Sequence, residues 1–282
     1  MSYNERMMKV IDYIGANLDG ELTLNELSRV SCFSAYHFHR LFTAYTGLSL
    51  KQFIKWLRLK RAAHQLVTQK DKTILHIALN AGFETHESFS RAFKKVCGQS
   101  PSDFRQRLDW SEWNKHPYSL PKKGEYNMNV TIKELPARRL AIIEHHGDPR
   151  DMGKTVERMI AWAKAQETNL LPKEGNRYGF AYDDPNEVEP EDFRFDLCTV
   201  VPDTMVLNDE VKEGFLPAGR YASVMHKGAR ENIGDSIYPL YREWLPESGE
   251  EPGDLPCIFC FHNFDSDVAN TELLTEVLVL LK

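Results

Sequence analysis

The sequence predicts a multidomain chain of two classes, an all-α domain followed by an α+β domain, and three observations in its 282 residues lead there. Apolar residues recur at three-to-four spacing through the first part, whereas alternation and short apolar runs appear only later. The formal net charge of −6 is unevenly spread: residues 1–110 hold 16 Lys and Arg against 10 Asp and Glu, and the remainder holds 19 against 31. Each part also repeats itself, the first at an offset of 51 residues and the second at 81. Hydrophobic residues at 42% suffice for packed cores and exclude a disordered chain. A basic part beside an acidic one points to an anionic partner for the first and a different task for the second.

Residues 5–18 place Met8, Ile11, Ile14 and Leu18 on one helical face. From Thr23 to Arg107 helical patterns follow one another with short breaks, including a long helix from Ser49 to Thr68. Between Asp109 and Asn127 the pattern dissolves, and Pro117, Pro121 and Gly124 among polar residues mark a linker. Beyond it, 129–134 and 140–145 read as strands, 154–166 as helix, 193–201 as strand, 234–245 as helix, and 257–262 and 274–281 as strands. The expected boundaries are 1–108, a linker over 109–127, and 128–282. Met1 to Gly20 mixes charged and apolar residues and has no signal-peptide core. No apolar run approaches the roughly 18 residues of a spanning helix, so no membrane partner is expected. Five cysteines scattered at 32, 97, 198, 257 and 260 make no disulfide framework, and the expected compartment is the cytoplasm.

The offset of 51 aligns Leu24 with Leu75, Phe38 with Phe89, Arg40 with Arg91, Phe42 with Phe93, Gly47 with Gly98, Ser49 with Ser100 and Phe53 with Phe104, without a gap. Ser34 meets Thr85, and each is placed to cap the helix that follows. In each copy a short helix, a tight turn and a second helix with polar outward side chains describe a helix-turn-helix. On the second helix of the first copy Phe38, Leu41, Phe42 and Tyr45 share one face, and Tyr36, His39, Arg40 and Thr43 project from the other. In the second copy Phe89 and Phe93 point inward, while His86, Glu87, Ser90, Arg91, Lys94 and Lys95 point out. Arg bonds bidentately to guanine O6 and N7, Glu accepts from cytosine N4, and Tyr touches the thymine methyl, so the outward sets suit a major groove. Lys51, Lys55, Arg58, Lys60, Arg61, Lys94 and Lys95 are the expected phosphate contacts. Two such units on one chain reach successive major grooves about 34 Å apart.

Thr23–Arg107 resembles the AraC/XylS DNA-binding domain almost end to end. The resemblance is carried by Ser34-Ala-Tyr-His-Phe-His-Arg-Leu-Phe42, Thr46-Gly-Leu-Ser49, Arg58-Leu-Lys-Arg-Ala62, Ala81-Gly-Phe-Glu84, Ser88-Phe-Ser-Arg-Ala-Phe-Lys94 and Gly98-Gln-Ser-Pro-Ser-Asp-Phe104. It implies seven helices and two recognition helices binding double-stranded DNA, with base contacts at Tyr36, His39 and Arg40 in the first and at Glu87 and Arg91 in the second. Cys32 stands where many members have Gly, which leads to the expectation of a looser first turn.

In the acidic part the offset of 81 aligns Pro136 with Pro217, Ala137 with Ala218, Arg139 with Arg220, Ala141 with Ala222, His145 with His226, Gly147 with Gly228 and Gly153 with Gly234. These stretches, with Tyr178-Gly-Phe-Ala-Tyr-Asp-Asp-Pro185 and Trp244-Leu-Pro-Glu-Ser-Gly249, resemble the GyrI-like effector domain over residues 128–282. That resemblance implies a duplicated strand-helix-strand-strand fold with a cleft for a small-molecule effector. Ligand-binding members often carry a Glu where this chain has Phe259, and Tyr where it has Phe261, so an aromatic or apolar ligand is expected rather than a dication. Tyr182, Trp244, Phe259 and Phe261 are the candidate stacking surfaces. Glu276 is the remaining strand carboxylate that could face the cleft, against a plainer reading as a solvated strand-edge residue.

Other chemistry is weakly represented. Cys257-Ile-Phe-Cys260 has the spacing of half a zinc site, but in a strand its thiols point to opposite faces and no second pair completes it, so no metal is expected. Matching positions give His145 and His226 a shared structural role beside a Gly turn. Asp183-Asp184-Pro185 reads as a solvated turn rather than a cation site. No phosphate loop, nucleophile elbow or catalytic carboxylate pair stands out, and no cofactor is expected. The resulting expectation is a non-enzymatic transcriptional regulator whose effector domain alters DNA binding or contact with RNA polymerase. The rivals are hydrolysis of an electrophilic xenobiotic by the GyrI-like domain, and an effector-independent architectural or inhibitory role.

Overall fold

Short polar side chains that accept backbone N–H groups set most helix starts in the first hundred residues. Ser2 opens α1 (Tyr3–Ala16) in a capping box with Glu5, and Thr23 opens α2 (Leu24–Ser31) by accepting the Glu26 N–H. At α3 (Ala35–Thr46) the expected cap is not made, because the Ser34 hydroxyl is buried without a hydrogen-bond partner among the described residues. There the main chain alone closes the first turn, the Ser34 carbonyl accepting the Phe38 N–H at 2.8 Å. Ser49 and Gln52 box the start of α4 (Leu50–Thr68), Thr73 caps α5 (Ile74–Asn80), and Thr85 caps α6 (His86–Cys97). α7 (Pro101–Arg107) and α8 (Ser111–Asn114) follow. The computed structural model describes residues 1–107, 109–114, 128–166, 170, 175–185, 188–264 and 268–282; most of the expected linker lies outside them. No helix among these residues is long and apolar enough to cross a membrane.

Contacts divide the chain into two compact units, Met1–Phe33 with Tyr45–Lys122 and Ser34–Ala44 with Lys123–Lys282. In the first, α4 to α8 enclose a core of Trp56, Leu66, Phe89, Phe93, Phe104 and Trp113. The Phe93 ring lies 5.5 Å from those of Phe89 and Phe104 and 5.4 Å from Trp113, separations at which tilted rings attract.

Two left-handed residues end the first helices of the repeats, Cys32 at φ 57° and Gly82 at φ 80°. The next residue in each case, Phe33 or Phe83, returns its N–H to Ser28 or Ala78 in a Schellman closure. These equivalent positions, and the caps Thr23 and Thr73, are 50 residues apart, whereas Ser34 and Thr85 are 51 apart. The repeat therefore carries one inserted residue, Glu84, in its second turn. The ungapped match of Leu24 to Leu75 rested on the adjacent apolar Ile74 and Leu75. Nor is the first turn loose: Cys32 adopts the left-handed conformation that Gly82 adopts in the second.

Among the described residues of the second unit eight strands form one antiparallel sheet: β1 (Thr131–Leu135), β2 (Arg138–His146), β3 (Arg177–Ala181), β4 (Arg194–Val200), β5 (Lys212–Leu216), β6 (Gly219–Lys227), β7 (Cys257–Phe261) and β8 (Leu274–Leu280). The order β1-β6-β8-β7-β3-β4-β2-β5 is a pseudo-twofold arrangement of two strand-helix-strand-strand modules. Each module's leading strand crosses to the other, β1 pairing with β6 and β5 with β2. The module helices are α9 (Met152–Ala165) and α10 (Gly234–Pro239), the latter continuing through a π-helical stretch Leu240–Trp244 into α11 (Leu245–Ser248). Two strands escaped the sequence reading, and a third, β6, was implied only by the match of Pro217–Gly228 to Pro136–Gly147 at the offset of 81. β3 is buried at every position and so shows no alternation, and its Gly179 is required because a Cβ would lie 2.3 Å from the Phe195 ring. β5 is a short edge strand, mostly exposed.

The duplication extends to individual hydrogen bonds. His145 Nδ1 meets the Thr155 hydroxyl at 2.8 Å and Nε2 the Asp148 carbonyl at 3.2 Å. Eighty-one residues on, His226 Nδ1 meets the Ser236 hydroxyl at 3.0 Å and Nε2 the Ala229 carbonyl at 3.1 Å. Both imidazoles pin a strand end to the helix that follows, a structural role with no free nitrogen for acid–base work.

Candidate nucleic-acid interface and effector face

α6 is an amphipathic helix with one face in the core and one in solvent. Thr85 accepts the Ser88 N–H at 3.1 Å, Phe89 and Phe93 are fully buried, and Glu87, Arg91, Lys94 and Lys95 are exposed. Positions 87, 91, 94 and 95 follow one stripe of the helix, an acceptor and a bidentate donor near its start and two ammonium groups in its last turn. Two of the expected phosphate contacts are engaged elsewhere. Arg58 donates to the carbonyls of Leu18 at 3.0 Å and Gly20 at 3.2 Å, while Arg61 donates to Asn80 at 3.1 Å and pairs with Asp19 at 2.7 Å. These guanidinium groups satisfy carbonyls at chain turns and a helix end. Lys55 and Lys60 lie over the rings of Phe83 and Trp56, at 5.6 and 4.9 Å.

α3 carries the same outward pattern in different surroundings. His39 and Arg40 are 6% and 3% exposed and Tyr36 is half-buried, because most of the helix belongs to the second unit. The Tyr36 ring meets Tyr182 edge-on at 5.6 Å, His37 Nδ1 lies 2.8 Å from the Tyr241 hydroxyl, and Arg40 Nη2 donates to the Ala181 carbonyl at 3.2 Å. Burial, with Arg40 beside them, pulls the His37 imidazole down to about 3 and His39 to about 4. For Arg40 burial opposes the charge, but Cys257, Tyr241, Asp184 and Tyr238 more than offset it and its pKa is raised.

The sheet register sorts the expected effector residues. Partnered residues share a face, so Tyr178, Cys198, Cys260 and Glu276 lie on one side, with Phe180 and Ile258. Phe195, Gly179, Phe259 and Phe261 lie on the other, where Ala141 and Ile143 pack under Met159 and Trp162 of α9. Tyr182, just past β3, packs with the helix-free side and donates to Asp196 at 2.7 Å. Tyr182 and Glu276 thus share a face, Phe259 and Phe261 belong to the helix-covered side, and Trp244 sits half-buried in the π-helical stretch. Burial pushes the Tyr182 phenol and the Asp196 carboxyl upward.

Glu276 is not a solvated edge residue. It is buried on β8 between β6 and β7, accepts from Lys133 at 2.5 Å and from the Ser223 hydroxyl, and lies 3.1 Å from His262 Nε2. Hydrogen bonding to His262, assisted by Lys133 and Ser223, outweighs burial and holds its pKa at about 2. Asp183 and Asp184 are buried as well rather than forming a solvated turn. Asp183 grips Arg194 at 2.8 and 2.9 Å, and Asp184 accepts from Tyr238 at 2.6 Å. Ligand atoms of Cys260, His262 and Glu276 lie within 4.8 Å of one another, a donor set for a soft divalent cation, but the Lys133 ammonium already occupies the carboxylate. Sequence reasoning missed His37, Tyr178, Lys133, Ser223, His262 and Tyr241. Only Tyr178 carried a signal, its two-residue spacing from Phe180 and Tyr182.

A helical region with a duplicated helix-turn-helix pattern, followed by a duplicated curled sheet with one helix-free face, defines a DNA-binding regulator with a small-molecule-binding domain. Residues 128–282 match the GyrI-like small molecule binding domain and residues 27–107 a helix-turn-helix domain. The chain belongs to the GyrI-like family, with an AraC-type DNA-binding region ahead of that domain. Over 156 residues it is 35% identical to the probable transcriptional regulator YgiV of Escherichia coli (strain K12), covering 55% of this chain and 96% of that one. It is 31% identical over 108 residues to the regulatory protein SoxS of Salmonella typhimurium, 38% of this chain and 100% of SoxS. The right origin-binding protein of Escherichia coli (strain K12) is 30% identical over 128 residues, 44% of this chain and 43% of that protein.

Proposed function

We propose that the chain is a sequence-specific transcriptional regulator that reads two successive major grooves, through α6 with Glu87 and Arg91 and through α3 with Tyr36, His39 and Arg40, under control of a small molecule. The observation that carries the reading is α6, a capped helix whose buried Phe89 and Phe93 fix the direction of exposed Glu87 and Arg91. The effector belongs on the helix-free face, beside Tyr178 and Tyr182. A neutral aromatic or apolar molecule suits it, since Glu276 is already matched by Lys133, Ser223 and His262 and offers a dication no unpaired charge.

The test is Arg91→Ala on an operator selected from a random duplex library. Loss of a bidentate guanine contact costs about 1–3 kcal/mol and relaxes preference at one base pair. Lys94→Ala weakens all sequences alike and lowers the salt slope by about 1. Equal binding by wild type and Arg91→Ala, with unchanged base preference, refutes the placement of α6.

A further inference from the structure

Two of the side chains expected to read DNA, Tyr36 and Arg40, meet residues of the effector domain instead, and so does their neighbour His37. We propose that the surface formed by Ala181, Tyr182 and Tyr241 is a receptor for the reading face of α3, so that DNA and the effector unit compete for the same side chains. This rests on the DNA-reading role of α3 and adds to it a regulatory site on the second unit.

The geometry is specific. Tyr182, at the end of β3, meets Tyr36; the Tyr241 hydroxyl, from the π-helical stretch, meets His37; and the Ala181 carbonyl receives Arg40. Tyr36, His37 and Arg40 follow the three-to-four spacing of one helix face, and each has a counterpart of matching chemistry: ring for ring, hydroxyl for imidazole, carbonyl for guanidinium. Nearby Asp184, bonded to Tyr238, adds negative charge beside the buried guanidinium. The surface therefore suits a short helix bearing an aromatic, an imidazole and a guanidinium group, which α3 supplies.

The match is also incomplete, which makes it reversible. Among the described residues Arg40 Nε and His39 Nε2 are buried with no hydrogen-bond partner, and a buried polar group left unsatisfied opposes the packing. A guanine edge offers a guanidinium two acceptors where Ala181 offers one carbonyl. Seating thus holds α3 without satisfying it, and DNA is the better-matched partner. Since affinity falls in proportion to the fraction of competent molecules, a seated α3 lowers operator affinity without altering any DNA contact.

Two changes that lie on the receptor and not on α3 test the competition in the full chain: Tyr241→Phe removes one hydroxyl and Tyr182→Leu removes one ring. Operator affinity is measured by fluorescence anisotropy on the selected duplex, and amide exchange over 35–46 is measured without DNA. The expected result is about tenfold tighter binding for the double variant, about threefold for Tyr241→Phe alone, and faster exchange in α3 but not in α6. If the double variant folds poorly, Tyr241→Phe decides by itself, as it retains the ring. Unchanged affinity with unchanged α3 exchange, at a wild-type melting temperature, overturns the receptor. Faster α3 exchange with no sequence-specific binding by any of the chains overturns the DNA-reading role and leaves the seat standing.

Discussion

α3 and α6 carry the same sequence logic and meet different surroundings. Both place two phenylalanines inward and an arginine at the matching outward position, yet Arg91 is exposed and Arg40 is 3% exposed. The difference teaches that an outward polar stripe specifies a surface that needs polar company, which water, a DNA groove or another protein surface can each provide. The two inner faces differ less, and there the largest effect is expected. Phe93, in contact with Phe89, Phe104 and Trp113, is fully buried, so Phe93→Ala should cost about 3–5 kcal/mol in chemical denaturation and abolish the DNA reading proposed for α6. A cost under about 1 kcal/mol would mean that the ring cluster is not the core of this unit.

The outer faces separate the helices by pH. Seated His37 and His39 are held neutral, down to about 3 and about 4, against the ordinary 6.5 of an exposed imidazole. Above pH 6.5 seated and released α3 bind no proton at these rings, so the seat is at full strength. Below it only the released helix takes up protons, and the seat weakens as pH falls towards 4. The groups facing these rings are Arg40 and each other on α3, Tyr241 on the π-helical stretch, and Asp183 and Asp184 after β3. The two carboxylates favour protonation of His39 but do not overcome burial. Between pH 7 and 5.5 the opening of α3, read by amide exchange corrected for intrinsic rates, should rise about tenfold or more while α6 stays flat. Equal pH dependence in the two helices would place these imidazoles in water.

How much of this was legible follows from what each residue needs. α6 could be read directly because its stripe faces solvent, as amphipathic periodicity assumes. The duplication of the sheet was legible from Pro136 to Gly153 because a strand end, a Gly turn and a histidine pinned to a helix are local features. Glu276 was not, because its partners Lys133 and Ser223 lie 143 and 53 residues away and meet it only through the register of β1, β6 and β8. Asp183 and Asp184 looked like a solvated turn because their neighbour is a proline, while Arg194 and Tyr238 reach them across the fold. The sidedness of Phe259 and Phe261 was implicit in period two, yet which side the helices cover is decided by α9 and α10.

The smallest contrast concerns the two turns. Cys32 and Gly82 hold the same left-handed conformation at equivalent places, each followed by a phenylalanine that closes a Schellman motif. A side chain there costs about 1–2 kcal/mol that glycine avoids, although glycine also raises the entropy of the unfolded chain and returns part of the gain. Cys32→Gly should therefore stabilise by about 0.5–1 kcal/mol, a rise of about 2–8 °C in melting temperature according to how much of the chain melts together. Gly82→Ala should do the opposite and lose more, since its Cβ would meet Arg58 Nη1 at 3.1 Å, on the guanidinium that also binds Leu18 and Gly20. The Cys32 carbonyl accepts from Arg6, whose guanidinium lies 3.3 Å above the Phe33 ring, so the first turn is held by a clamp that the glycine variant retains. If Cys32→Gly proves neutral or destabilising, the left-handed turn is not strained and that clamp, rather than backbone preference, sets its conformation.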